Sequence, residues 1–288
     1  MNLRSRWINP VLEKEFRLRM RTVRSPLALL AYLAVIGLLA FAYLYVESQN
    51  RGPNGFTPEA SRFLFYFLSG AQMVLVCFMA PGLTAGVISG EREKQTLSML
   101  LTTQQSSAAI ILSKLAASLS FMLLVVFTTL PIYSIVFLYG GISPAQLLSV
   151  FGFYVLVMLM LGSLGVMFST LFQRTVVAVI VTYGSGLFLY VLTGLAALFL
   201  MAVSGAQLRY EAGFLLGLNP LSAMIGLFEP SFTNEFFRGS LAGLQMWHIF
   251  VSSHLVIAAF AVWTAVRKLR PAARGRKTAQ PASEPSAK

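Results

Sequence analysis

The chain has 288 residues, of which 57% are apolar and only 11% charged, with a formal net charge of +12. Soluble domains carry about 25% charged residues, so this composition excludes an ordinary water-soluble enzyme and indicates an all-α integral membrane protein built as one bundle. The single cysteine, Cys77, excludes an intrachain disulfide.

The first 26 residues read as an amphipathic segment. Asn9 fits an N-cap and Pro10 the first helical position. Leu12, Phe16, Met20 and Val23 then share one face, while Lys14, Arg17, Arg21 and Arg24 cover much of the rest. A basic helix with a narrow apolar face lies in the plane of a membrane surface and is attracted to anionic lipids; the same residues also serve as an ordinary positive flank of a span. Ser25-Pro26 ends this helix. No secretory signal is evident, because the first apolar run begins only at residue 27 and is of full spanning length.

About 20 mainly apolar residues cross the hydrocarbon core as a helix. Six stretches qualify: Leu27–Val46, Phe63–Ile88, Leu115–Leu138, Leu147–Phe172, Thr175–Val203 and Met246–Val266. Trp247 and Trp263 bracket the last at interfacial positions. In the second span Pro81 predicts a kink. Gly82, Gly86 and Gly90 then recur every four residues and make a flat strip for close helix packing, inside the bundle or between subunits.

Between spans two and three lies a charged island, Glu91-Arg92-Glu93-Lys94, followed by Gln95, Thr96 and the apolar Leu97, Leu100 and Leu101. Four successive charges do not lie in hydrocarbon. The spacing predicts a polar helix start followed by an apolar stripe, a shape that another protein can grip.

Mid-span polar groups are few. Gln72, Thr128, Thr129 and Tyr133 read as hydrogen-bonding groups between helices, and no charged pocket or aromatic cage singles out a substrate. The loop from about Ser204 to Gln245 contains Asn219-Pro220, which starts a helix with Leu221, Met224, Ile225 and Phe228 on one face. That helix is too short to span, so it lies at the outer interface or dips back, as a lid or as a packed loop. Ser185 between Gly184 and Gly186, with His248 or His254, gives only a thin case for an intramembrane hydrolase. The two histidines are six apart, on different helix faces, and so do not suit a shared metal. No phosphate-loop motif for ATP is present.

Charge asymmetry orients the chain. Of 22 Lys and Arg residues, only Arg51, Arg62, Arg209 and Arg238 fall on one side of the six spans; the N-terminal segment, the island, Lys114, Arg174 and the tail hold the rest. By the positive-inside rule both termini and the island are cytoplasmic. The basic residues then face the anionic inner leaflet, which makes nucleic acid an unnecessary partner. Residues 271–288, rich in Ala, Pro and Ser, read as a disordered basic cytoplasmic tail.

Three stretches resemble the membrane subunit of ABC transporters of the type-2 exporter family: Asn9-Pro10-Val11-Leu12-Glu13-Lys14-Glu15-Phe16-Arg17, then Ile88-Ser89-Gly90-Glu91-Arg92-Glu93-Lys94-Gln95-Thr96-Leu97 with Leu101-Thr102-Thr103, and Leu218-Asn219-Pro220-Leu221. The similarity runs to about Arg270 and departs from the family pattern at Gln104-Gln105. The resemblance implies a six-span, multi-pass permease of the plasma membrane without enzyme activity or cofactor of its own. It also implies a second permease copy or paralogue, and a separate cytoplasmic ATPase that binds the ATP. Carried over, Glu91, Arg92, Glu93, Lys94, Gln95 and Thr96 form or flank a coupling helix that Leu97 and Leu100 anchor. A scaffold or sensor that recruits an ATPase without transporting is the alternative.

Overall fold

A computed structural model describes residues 24–51, 57–97, 105–140, 142–204, 208–237 and 243–269. The predicted amphipathic helix (Leu12, Phe16, Arg17, Met20, Arg21), Leu100 and the tail from residue 271 lie outside them. All regular structure among the described residues is helical. Six helices there are long and apolar enough to cross a membrane: Pro26–Gln49, Pro58–Glu93, Ser107–Leu138, Pro144–Leu171, Thr175–Val203 and Met246–Leu269. Each answers to one predicted span, the third beginning at Ser107 rather than Leu115.

The ends follow local chemistry. α1 covers Arg24–Arg51 and α2 Pro58–Thr84, where the Thr57 hydroxyl accepts the Ala60 amide and Pro58 opens the first turn. α3, Ser89–Glu93, carries the charged island. α4, Ser107–Phe127, is capped by Ser106. α5, Leu130–Leu138, completes the third span. α6, Pro144–Leu171, starts with a full capping box of Ser143 and Gln146, just after Gly140 turns the chain at φ +78°. α7, Thr175–Leu187, runs through a π-helical turn, Phe188–Leu192, into α8, Thr193–Ser204. After α9 (Arg209–Leu218), α10 (Pro220–Phe228) and α11 (Pro230–Phe236), α12 (Met246–Leu269) forms the sixth span.

Two spans are broken. The second unwinds between Thr84 and Ser89, just past Pro81. The third, read from sequence as continuous over Leu115–Leu138, is interrupted at Thr128-Thr129. Pro131 has no amide to donate to the Phe127 carbonyl, and the hydroxyls of Thr128 and Thr129 bond back to the carbonyls of Val125 and Val126.

α6 is the axis of the bundle, packed against α2, α4, α7 and α12. Small residues allow its close approach: a methyl group on Gly165 would lie 2.1 Å from Thr84 Oγ1, and one on Gly162 would lie 3.2 Å from Leu115 Cδ1. α1 is peripheral, with Tyr32, Ile36 and Ala40 as its buried apolar contacts. The mid-span polar groups pair between helices. Gln72 donates from Nε2 to Thr129 Oγ1 (3.1 Å) and accepts the Tyr133 hydroxyl on Oε1 (2.8 Å), while the Tyr154 hydroxyl donates to the Ser69 carbonyl (2.9 Å). Gln72, Thr129, Tyr133 and Tyr154 are all buried.

Opposite the charged island, α9 and α10 meet at Asn219 with a bend of 104°. Asn219 caps α10 as the sequence predicts, its Oδ1 accepting the Leu221 amide at 3.0 Å. Of the four residues that the spacing puts on one face, Met224 and Phe228 are buried and Leu221 and Ile225 exposed; Ser222, Ala223 and Gly226 complete the buried side. A helix in an apolar environment carries apolar residues on its outward face too, so their spacing does not identify the inward one.

Candidate functional site

The break after Pro81 leaves two backbone donors without helical partners, and one side chain meets both. Ser169 Oγ, buried on α6, accepts the amides of Ile88 and Ser89 at 2.9 Å each, and lies 3.1 Å from Ser89 Oγ. α3 is thereby hung from span four at its start.

At its far end the chain turns sharply. Gln95 adopts φ +58°, its amide bonds the Arg92 carbonyl (3.0 Å), and the Thr96 amide bonds the Glu91 carbonyl (2.9 Å). This pattern is a Schellman motif with glutamine in the left-handed position. The island is therefore the end of a helix continuing the second span, not the start of the next one. The left-handed residue decides this, and apolar spacing alone does not reveal it.

The charges turn inward onto three other spans. Glu91 Oε1 meets Lys114 Nζ of α4 at 3.2 Å, with the lysine side chain only 3% exposed, and Glu91 Oε2 accepts the Thr96 hydroxyl. Arg92 donates from Nη1 to the Phe172 carbonyl (3.1 Å) and from Nη2 to the Thr170 carbonyl (3.2 Å), capping the C-terminus of α6. Glu93 Oε1 accepts the Thr175 amide (2.7 Å) at the N-terminus of α7, where Arg174 supplies no side-chain cap. A cation thus sits at the negative end of one helix and an anion at the positive end of the next. The two clamp the Phe172–Arg174 turn from both sides. What remains outward is the tip: Lys94, Gln95 and Thr96 are exposed, and Leu97 packs partly against the core.

Gly82, Gly86 and Gly90 form packing surface within the chain. Methyl groups built on them would face α7, at 3.0 Å from the Tyr183 hydroxyl, 3.1 Å from Thr175 Cγ2 and 3.9 Å from Thr175 Oγ1. Beside them a cleft of about 350 Å³ is lined by Glu91, Lys94, Lys114 and the glycine strip. The structure thus gathers Glu91, Arg92, Glu93, Lys94, Gln95, Thr96 and Leu97 into one hairpin against the three glycines. Sequence reasoning misses Ser169 and the ends of α6 and α7. The available signal was an adjacent base and acid facing a two-residue helix break at Gln173-Arg174.

The hydrolase arrangement does not form. Ser185 donates to the Thr182 carbonyl (2.8 Å). His254 Nδ1 lies 2.9 Å from the Phe250 carbonyl, and its Nε2 lies 3.3 Å from the Tyr190 hydroxyl. His248 Nδ1 accepts the Gln245 amide (3.2 Å), and its ring lies against Trp247.

A multi-pass helical membrane protein with a charged hairpin clamped to three of its own spans is the class that fold and site define. The family described as ABC-2 family transporter protein matches residues 9–270. The chain belongs to this family and is a permease subunit of an ABC transporter. No curated protein matches it.

Proposed function

We propose that this permease works as an exporter in the plasma membrane, with both termini cytoplasmic, as one of a pair of permease subunits driven by a separate ATPase. The 89–97 hairpin is the coupling element. ATP is bound by the partner, and the ATPase grips the exposed tip, Lys94 to Thr96. The observation that carries this reading is the double clamp of Arg92 and Glu93 on the turn between spans four and five. A push on the tip reaches those spans directly, instead of being lost in a solvated loop. The charge asymmetry that puts the hairpin on the cytoplasmic side supports the same reading, and the basic N-terminal segment then meets anionic inner-leaflet lipids.

Purification of the chain from native membranes tests this. A P-loop ATPase should accompany it, and Lys94→Glu, at the exposed tip, should weaken that association while the permease still folds. A cysteine placed at Gln95 should react with a membrane-impermeant thiol reagent only from the cytoplasmic face. Labelling only from outside, or ATPase recovery unaffected by Lys94→Glu, would overturn the assignment. ATP-dependent movement of cargo by reconstituted vesicles distinguishes a transporter from a scaffold that merely recruits the ATPase.

A further inference from the structure

The polar cluster between the first four spans is incompletely bonded, and its deficit has a definite pattern. Tyr32 of α1, Ser69 and Gln72 of α2, Thr129, Tyr133 of α5 and Tyr154 of α6 converge there. Three hydroxyl protons are committed. Tyr133 donates to Gln72 Oε1 (2.8 Å), Tyr154 to the Ser69 carbonyl (2.9 Å) and Thr129 to the Val126 carbonyl (2.7 Å). The Tyr133 and Tyr154 oxygens nevertheless lie 3.4 Å apart. With both protons turned elsewhere, two acceptors face each other, and each is open to a donor from a third group.

Two spare donors stand beside them. Ser69 Oγ faces both tyrosine hydroxyls. The Tyr32 hydroxyl faces Gln72 and Tyr133, near enough to feel both but not to bond either. Ser69 is fully buried and Tyr32 only 9% exposed, yet neither hydroxyl has a hydrogen-bond partner. Buried hydroxyls are costly when unmet, and polar groups that face each other beyond hydrogen-bond length are commonly joined by water.

The chemistry selects the occupant. The six side chains of the cluster carry no charge, so a bare cation would meet hydroxyl protons with no carboxylate to hold it. An anion would meet the two opposed acceptor oxygens. Water accepts two hydrogen bonds and donates two, the complement of two spare donors and two open acceptors.

We infer that Tyr32, Ser69, Tyr133 and Tyr154 form an internal water site. The water accepts from the Tyr32 and Ser69 hydroxyls and donates to the Tyr133 and Tyr154 oxygens. The site fastens span one to the bundle. Among the described residues of α1, only Tyr32, Ile36 and Ala40 are buried, so Tyr32 is its one buried polar tie. That tie falls beside the break in span three, where Thr129 accepts from Gln72. The inference does not rest on the transport reading.

The test uses the full chain alone in lipid nanodiscs, and its probe is water labelled with heavy oxygen. X-ray pulses generate hydroxyl radicals wherever that water resides, and mass spectrometry locates the label. After correction for intrinsic ring reactivity, Tyr133 and Tyr154 should be labelled several-fold faster than Phe250, which is equally buried with its ring against Phe153 and His254. Tyr32→Phe combined with Ser69→Ala should bring both down to the Phe250 rate. Stability gives a second readout. A hydroxyl without a partner is replaced by a methyl group at no loss, whereas one bonded to water loses a hydrogen bond, so Ser69→Ala should raise the unfolding constant about 3- to 10-fold. Labelling of both tyrosines at the Phe250 rate in the unaltered chain would overturn the proposal. So would labelling that survives in the double variant, or a Ser69→Ala chain as stable as the unaltered one or more so.

Discussion

Ser169 and Ser163 lie on the same helix, both fully buried, yet they should respond oppositely to loss of the hydroxyl. Ser169 Oγ accepts two amides, Ile88 and Ser89, at 2.9 Å. Ser163 Oγ is buried with no hydrogen-bond partner. A buried donor left unmet costs about 1–3 kcal/mol, so Ser169→Ala exposes the fold to about 2–6 kcal/mol. Rotation of the Ser89 hydroxyl toward the vacated site brings the expected loss to about 2–4 kcal/mol. That is a large share of a typical 5–15 kcal/mol. Ser163→Ala removes a hydroxyl that gains nothing from its surroundings, and the expected change lies between zero and about 1 kcal/mol of stabilisation. Reversible unfolding in mixed micelles, followed by circular dichroism, measures both. Equal effects of the two substitutions, or a loss below about 1 kcal/mol for Ser169→Ala, would refute the claim that this oxygen holds the start of α3.

Two further contrasts probe the bundle. Gly165→Ala places a methyl group 2.1 Å from Thr84 Oγ1 and should cost about 1–3 kcal/mol, whereas Gly184→Ala, with nothing within 4 Å, should stabilise its helix by about 0.5–1 kcal/mol; thermal unfolding of the two variants checks the sign of each. Gln72→Leu removes the acceptor of the Tyr133 hydroxyl and a partner of Thr129 and should cost about 1–3 kcal/mol, with part of the loss recovered when Tyr133→Phe is added. Simple addition of the two losses in a double-mutant cycle would count against the network.

Much of the architecture was legible because a bilayer imposes length and composition together. The six spans, the Pro81 disturbance and the Asn219-Pro220 helix start were all marked by apolar run length or by Pro and Asn chemistry. What stayed hidden depends on neighbours distant in sequence. Nothing local to Ser169 announces that it receives amides from 80 residues away, and nothing local to Thr175 shows that its helix is capped by Glu93. The inward face of α10 stayed hidden for a related reason: hydropathy separates inside from outside only when water is outside. The glycine strip was visible, but its partner, α7, was not, since small residues announce close packing without naming what packs.

The inward-turned charges also determine which experiment is diagnostic for coupling. Replacing Glu91 and Glu93 by lysine would put a cation against the buried Lys114 and remove the cap of α7. ATPase loss in that variant would follow from damage to the permease and would not report on docking. Lys94 and Glu93 separate the two roles cleanly, because one side chain lies at the exposed tip while the other reaches back to span five. Lys94→Glu should reduce ATPase association. Glu93→Ala should keep it, since Lys94, Gln95 and Thr96 are unchanged, yet disconnect the tip from α7. Cys77 is the natural reporter, for it lines a cavity that α7 walls on the other side. In the complex with its ATPase, ATP should change the rate at which an uncharged maleimide modifies Cys77; with Glu93→Ala that change should vanish while ATPase co-purification persists. An ATP-dependent change surviving in Glu93→Ala would show that the stroke reaches the bundle by another route, through Lys114 or the second span itself, and that the carboxylate on Thr175 only caps a helix.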